Sequence, residues 1–473
     1  MKNIDIRAVL SSLIAYIPVL GIVMLAVALP FRYGWVQRTA LYMAGIGYLI
    51  DFVYNRRFVG WHWTRDKWVY VLMMLFFLIT PVRQLFDPCP PTCYFRGQLE
   101  VRTAFFAIGL IGLLGWNNHT NICRYVGYTM LLVSLGIVVY IGALHLSLGD
   151  VPGWEHGHRS VFNAIAHQYV GAHMRLDFYF NLAIIFSFYL LHKTHSKWQI
   201  VAIVAADMVL IARLLCSDGR SGMLAMLFVV VSGLLFYLCK FASKRMIVLS
   251  VLFLVLLGGV AISQNERLDH DRLESEPRLA IWDYALRQID RHPLVGYGLS
   301  SASVQFVENA YQDESMQTYI RFITNTPALS KEQCHSMAVV NPHNLYLQLT
   351  LENGIFFPLL FVLICALSIA HCPKSKRLCM ALTAFLILWQ AVFDSFSPHF
   401  PPMLLCLCLW LMMLPDTTTH QSAEMHCLGL SNPFRKKRGE SIAKDRDHIE
   451  SVSSELRQRH GNETITRADS VDR

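Results

Sequence analysis

Apolar runs long enough to cross a bilayer recur along this chain, and they limit its fold more than any other feature. They fall near residues 8–29, 39–54, 68–86, 101–116, 125–148, 176–192, 198–215, 222–239, 245–262, 345–370, 378–395 and 402–414. A helix needs roughly 17–25 apolar residues to span a bilayer core. Backbone groups in lipid must be satisfied within the segment, so such runs fold as helices. Charge agrees: 16% of the 473 residues are charged, against about 25% in a soluble domain. The reading is an all-α polytopic membrane protein of about 12 transmembrane helices with a large helical loop outside the membrane. Ala26-Val27-Ala28 has the small-residue pattern of a signal-peptidase site. The apolar run before it is too long for a signal segment, so it reads as an uncleaved anchor.

Lysine orients the chain. With the N-terminus in the cytoplasm, Lys2, Lys67, Lys193, Lys197, Lys240, Lys244, Lys374 and Lys376 fall at cytoplasmic ends or in short loops. Lys436, Lys437 and Lys444 fall in a cytoplasmic tail, and only Lys331 lies outside. That asymmetry is the positive-inside pattern. It divides the chain into transmembrane helices 1–9 (1–262), an outer loop (263–344), transmembrane helices 10–12 (345–414) and a polar tail (415–473) that reads as disordered. The tail's Arg435-Lys436-Lys437-Arg438 serves solubility or touches anionic lipid. The protein that follows is multi-pass, with its working face on the outer side of the membrane.

Arginine, unlike lysine, is placed on the outer face: Arg32, Arg38, Arg96, Arg159, Arg175, Arg220, Arg278, Arg287, Arg291 and Arg321. A guanidinium holds phosphate through two parallel bonds and stays charged. The outer face reads as prepared for an anion, although any single arginine also suits lipid headgroups or loop carboxylates. The net charge of +8 follows from topology and implies no nucleic acid.

The outer loop is ordered by its pattern. Leu279, Ile281, Trp282, Ala285, Leu286 and Ile289 recur at helical spacing between Arg278 and Ile289. His292-Pro293 ends that helix, and Gly296 and Gly298 make a turn. A second helical stretch runs near 302–323. Asn341-Pro342 leads into the tenth span, with His343 at its mouth and Glu352 about 13 Å deeper at 1.5 Å per residue.

Several chemistries lack their residues. The histidines at 156, 158, 167 and 173 show no HExxH or paired Cys/His spacing, so no metal site is assigned. Ser217-Asp218-Gly219-Arg220-Ser221-Gly222 is not a GxSxG nucleophile turn. There is no phosphate loop for a nucleotide, and no cofactor is assigned. Cys89 and Cys93 flank a Pro-rich turn and suit either a disulfide or two free thiols. What remains is an arginine-rich face and His343, with Asn341 and Asn344 beside it. A neutral imidazole can take a hydroxyl proton, and arginines can stabilise a pyrophosphate leaving group. The pair suits transfer of a group from a lipid pyrophosphate to an alcohol.

Three motifs then converge. NPHNLYLQLTLENG at 341–354, PRLAIWDYALRQIDRHPLVGYG at 277–298 and SDGRSG at 217–222 resemble, in order, the signatures of the O-antigen ligase and polymerase superfamily. The resemblance covers roughly 198–400. It implies about twelve transmembrane helices with a large helical periplasmic loop at 263–344, a bacterial inner-membrane location with the active face periplasmic, and an undecaprenyl-pyrophosphate-linked glycan donor, with a lipid A-core acceptor if the chain is a ligase. It also implies a metal-independent glycosyltransferase, with His343, Arg278 and Arg220 catalytic. Arg159, Arg175, Arg291, Asn341, Asn344 and Trp282 are assigned to substrate, and inner-membrane lipids are further partners. Within the superfamily the alternatives are a chain-extending polymerase and a protein O-oligosaccharyltransferase. Outside it, the alternative is a transporter of lipid-linked sugars, which calls for repeats or broken helices in matching halves.

Overall fold

The first two helices show how the bundle is built. In the computed structural model, Ile6–Ala28 (α1) and Gly34–Tyr54 (α2) lie so close that a Cβ at Gly21 would come within 2.5 Å of the Ala44 nitrogen. Small residues allow this approach between helices that gain little from hiding apolar surface. Leu13 and Leu20, beside that contact on α1, stay 60% and 56% exposed, as a lipid-facing surface would.

The structure describes residues 6–31, 34–56, 63–84, 106, 109–114, 122–148, 173–217, 219–241, 277–324, 330–337, 342–393, 411 and 413–414. All lie within the unit Met1–Pro415. The bundle continues with Lys67–Gln84 (α3), Ile122–Leu148 (α4), His173–Lys193 (α5), Lys197–Leu215 (α6) and Arg220–Phe241 (α7). The loop region contains Pro277–Arg291 (α8), Leu299–Glu308 (α9), Glu314–Thr324 (α10) and Lys331–Met337 (α11). Leu345–Asn353 (α12), Phe356–His371 (α13) and Arg377–Phe393 (α14) follow.

The elements of the described residues are helical, and the architecture is that of an all-α membrane protein. Four of these helices are long and apolar enough to cross a membrane: Val9–Ala28, Ile122–Ser147, Lys197–Leu215 and Lys374–Phe393. Lys67–Phe76, Ser221–Phe236 and Phe356–His371 are shorter apolar helices. The runs read at 101–116, 245–262 and 402–414 lie wholly or largely outside the described residues, as do Cys89, Cys93 and the tail.

The described residues form two apolar cores. The larger joins α1–α7, α13 and α14, with α5 at its centre: Tyr179, Leu182, Ala183, Ile185, Phe186 and Leu190 have no exposed surface. The Tyr179 hydroxyl donates to the Ala26 carbonyl at 2.7 Å, tying α5 to α1. The smaller core joins Ile281, Tyr284 and Ala285 of α8 to Phe306, Met316, Ile320 and Cys334. Tyr284 meets Phe306 edge-on at 4.7 Å and donates to its carbonyl at 2.6 Å. Burial pushes the Tyr284 phenol well above its usual pKa, so it remains a donor. The second helical stretch of the loop is two helices, because Ala310–Gln312 makes a 3-10 turn between α9 and α10.

α12 belongs to both cores. Leu345 and Leu349 pack in the larger, and Leu351 in the smaller. This corrects the single tenth span expected over 345–370. The helix stops at Gly354, whose φ of +82° suits glycine, and α13 begins anew at Phe356. In one straight helix Tyr346 and Phe361 would stand about 22 Å apart; their rings are 6.4 Å apart. The chain therefore bends back at Gly354, and Glu352 does not descend with depth as a continuous helix would require.

Candidate active site

The loop motif and the α12 motif are joined through the backbone. Tyr297 N–H donates to the Leu351 carbonyl at 2.6 Å, Gly298 N–H to Glu352 at 2.9 Å, and Ile355 N–H to Pro293 at 3.0 Å. Gly296, at φ +60°, allows the approach: a Cβ there would lie 2.5 Å from the Leu351 oxygen. Glu352 is fully buried, accepts a hydrogen bond from the Gln348 amide and sits under this turn.

The other end of α12 carries His343. Asn344 is the N-cap: its extended backbone (φ −152°, ψ 117°) lets Oδ1 accept from Leu347 N–H at 3.1 Å. The cap is therefore Asn344, and His343 is left for another task. His343 has φ +50°, an uncommon conformation for a residue with a Cβ. Such strain persists where surrounding contacts hold it. One is visible: the Trp282 indole donates to the Pro342 carbonyl at 3.0 Å. That bond ties the middle of α8 to the peptide preceding His343.

Arg278 lies one turn before Trp282, on the same face of α8. Its charge reaches His343. The imidazole pKa is held below the usual value, first by burial and then by the Arg278 guanidinium. Arg278 also acts on Tyr319 of α10, whose phenol is raised by burial and partly drawn back by that charge. Arg278 thus lies close enough to both His343 and Tyr319 for its charge to act on each, and all three are half-buried. Tyr319 carries no signal in the sequence, since nothing in its spacing distinguishes it from a core aromatic.

Other predicted residues go elsewhere. Arg291 ends α8, about 20 Å along the helix from Arg278, and pairs with Tyr297. Arg287 is engaged by carboxylates: it donates to Asp283, to both Asp313 oxygens at 2.8 and 2.9 Å, and to Ser315 at 2.8 Å. It braces α8 on α10 and offers no anion site. Asn341, Arg159 and the side chain of Arg220 lie outside the described residues.

The SDGRSG turn is built from α5. Ser217 Oγ donates to the Asp177 carboxylate at 2.7 Å and accepts from Gly219 N–H at 3.2 Å. The Asn181 amide donates to the Gly222 carbonyl at 3.1 Å. Gly222 is required here, as a Cβ would fall 2.5 Å from that of Asp177. These bonds set the first residue of α7, Arg220, beside the start of α5, where Arg175 lies partly buried.

Two consecutive residues of α14 connect the turn to α12. Tyr346 Oη donates to the Leu388 carbonyl at 2.9 Å, and Trp389 Nε1 donates to the Ser221 carbonyl at 2.9 Å. The starts of α7 and α12 are thereby held against one stretch of α14. All three motifs meet at one end of the bundle.

Among the described residues, no group of three or more His, Cys, Asp or Glu is placed to hold a metal. The family model described as O-antigen ligase matches residues 205–362. This segment includes the SDGRSG turn, α8 and all of α12. No curated protein matches the chain.

Proposed function

We propose, from the match of residues 205–362 to the family model described as O-antigen ligase, that the chain is a glycosyltransferase of the ligase type. It moves a glycan from undecaprenyl pyrophosphate to a sugar hydroxyl of lipid A-core at the periplasmic face of the inner membrane. The observation that carries this reading is the convergence of the three motifs through Trp282–Pro342, Tyr346–Leu388 and Trp389–Ser221.

The acceptor oxygen attacks the anomeric carbon, and the bond from that carbon to the pyrophosphate breaks. The hydroxyl proton passes to neutral His343. Arg278 and Arg220 hold the departing pyrophosphate, whose charge grows as the bond opens. Arg175, at the neighbouring helix start, extends the cationic rim. Asn344 orients His343 by capping α12. The reaction calls on no metal or nucleotide.

Expression in a strain lacking its own ligase tests this. Appearance of long-chain lipopolysaccharide on a gel is the expected result. Longer polyprenyl-linked glycan without transfer to lipid A-core would favour the polymerase instead. The break at Gly354 also suits a transporter, in which helices are interrupted at the binding site. Transport without transfer by purified protein would favour that reading.

A further inference from the structure

Four apolar side chains from two distant stretches stand in the open where α8 and α13 meet. Leu294 and Val295 keep 62% and 60% of their surface, and Ile355 and Phe356 keep 44% and 66%. The backbone brings them together. Ile355 N–H is bonded to the Pro293 carbonyl, and a Cβ on Gly354 would fall 1.9 Å from the Leu294 oxygen. The turn after α8 is thus seated on the residue from which α13 departs.

Turns in water carry polar residues at their tips. This one presents Leu294 and Val295. The patch is also continuous with a longer one. Leu359, Val362 and Leu363 are 58%, 41% and 46% exposed, and their three- and four-residue steps continue the Phe356 side of α13. On a helix that crosses a bilayer, that side meets lipid.

We infer that the turn Pro293–Val295 is inserted among the acyl chains of the leaflet beside the start of α13, and anchors the loop helices to the bilayer. The anchor fixes more than itself. Tyr297 and Gly298, just after it, are bonded to Leu351 and Glu352 at the end of α12. α8, just before it, carries Arg278 in its first turn. The depth of the turn therefore sets the height of Arg278 and His343 over the membrane surface. That is the height at which a lipid-linked pyrophosphate would have to be met. The insertion rests on α13 crossing the bilayer and not on glycan transfer, so its test needs no activity.

The full chain in its native membrane would carry a benzophenone amino acid at Leu294 or, separately, at Val295. Leu359 serves as the lipid-facing reference and Leu286, exposed on α8, as the loop reference. After irradiation, mass spectrometry of the purified protein reads the adducts. Phospholipid adducts at 294 and 295 at the level of 359, and well above 286, are expected. Lipid adducts at 359 with none at 294 and 295 would overturn the inference. Cross-linking of 294 or 295 to another polypeptide would also overturn it, by showing a protein-docking face.

Discussion

The Trp282 indole nitrogen lies 3.0 Å from the Pro342 carbonyl oxygen, sixty residues along the chain. This bond fixes the peptide that holds His343 in its left-handed conformation. Trp282→Phe keeps most of the ring and removes the donor. The hydrogen bond itself contributes about 1 kcal/mol to stability, so folding and membrane level should change little. Turnover should fall further, on the order of 10²-fold, if His343 moves by about 1 Å. Transfer rate per folded molecule checks this; an unchanged rate would show that the bond does not position His343.

His343 is best tested by two replacements. Asparagine, like histidine, tolerates positive φ better than most residues, whereas alanine bears the full left-handed cost of roughly 1–2 kcal/mol. His343→Asn should therefore keep near-normal protein level while transfer falls by about 10²–10⁴-fold, the loss of a general base. His343→Ala should show the same loss of turnover with a lower level. Donor binding should survive both. If His343→Asn retains turnover, the base lies elsewhere, and Tyr319 becomes the first residue to test.

The pH profile follows from the same surroundings. His343 must be neutral to accept a proton. Burial and Arg278 both lower its pKa, so the neutral form persists to lower pH. The acid limb of kcat/KM should lie below the ordinary histidine value of about 6.5. Arg278→Gln removes one cause and leaves burial, so the limb of its residual activity should move up. A limb that stays put in this variant would break the link between the two residues.

The sequence read helices well because apolar periodicity and lysine placement report them directly. α1, α5 and α6 start within three residues of the positions read from hydropathy. The bend at Gly354 was hidden, because Leu345–Asn353 and Phe356–His371 are both apolar and read as one run. Only the partner across the gap, the Pro293–Gly298 turn, explains why the chain stops there. The same holds for the site. Arg278, Trp282 and His343 can be named from motif residues, yet the bond that brings their segments together, Trp282 to the Pro342 carbonyl, spans sixty residues. Arg287 looked equivalent to Arg278; Asp313, far along the chain, decides otherwise.

Gly354→Ala tests the bend. The new side chain would be strained at φ +82° and would strike the Leu294 carbonyl. Destabilisation should exceed the roughly 1–2 kcal/mol of left-handed strain alone. Thermal unfolding in detergent measures it, and a wild-type transition would show that the seat is not tight.

Arg278 carries the last test, which separates charge from geometry. If its guanidinium grips the pyrophosphate through two parallel bonds, a lysine cannot replace it, because an ammonium is a single point charge. Arg278→Lys and Arg278→Ala should then both lose about 10²-fold or more in transfer rate, the size of removing one transition-state donor. Because Arg278 also lowers the His343 pKa, the two variants should differ in the acid limb, lower in Arg278→Lys where a cation remains. Comparing rate at saturating donor with the acid limb distinguishes the two roles. Full activity in Arg278→Lys would reduce Arg278 to a nearby positive charge and leave the pyrophosphate grip to Arg220.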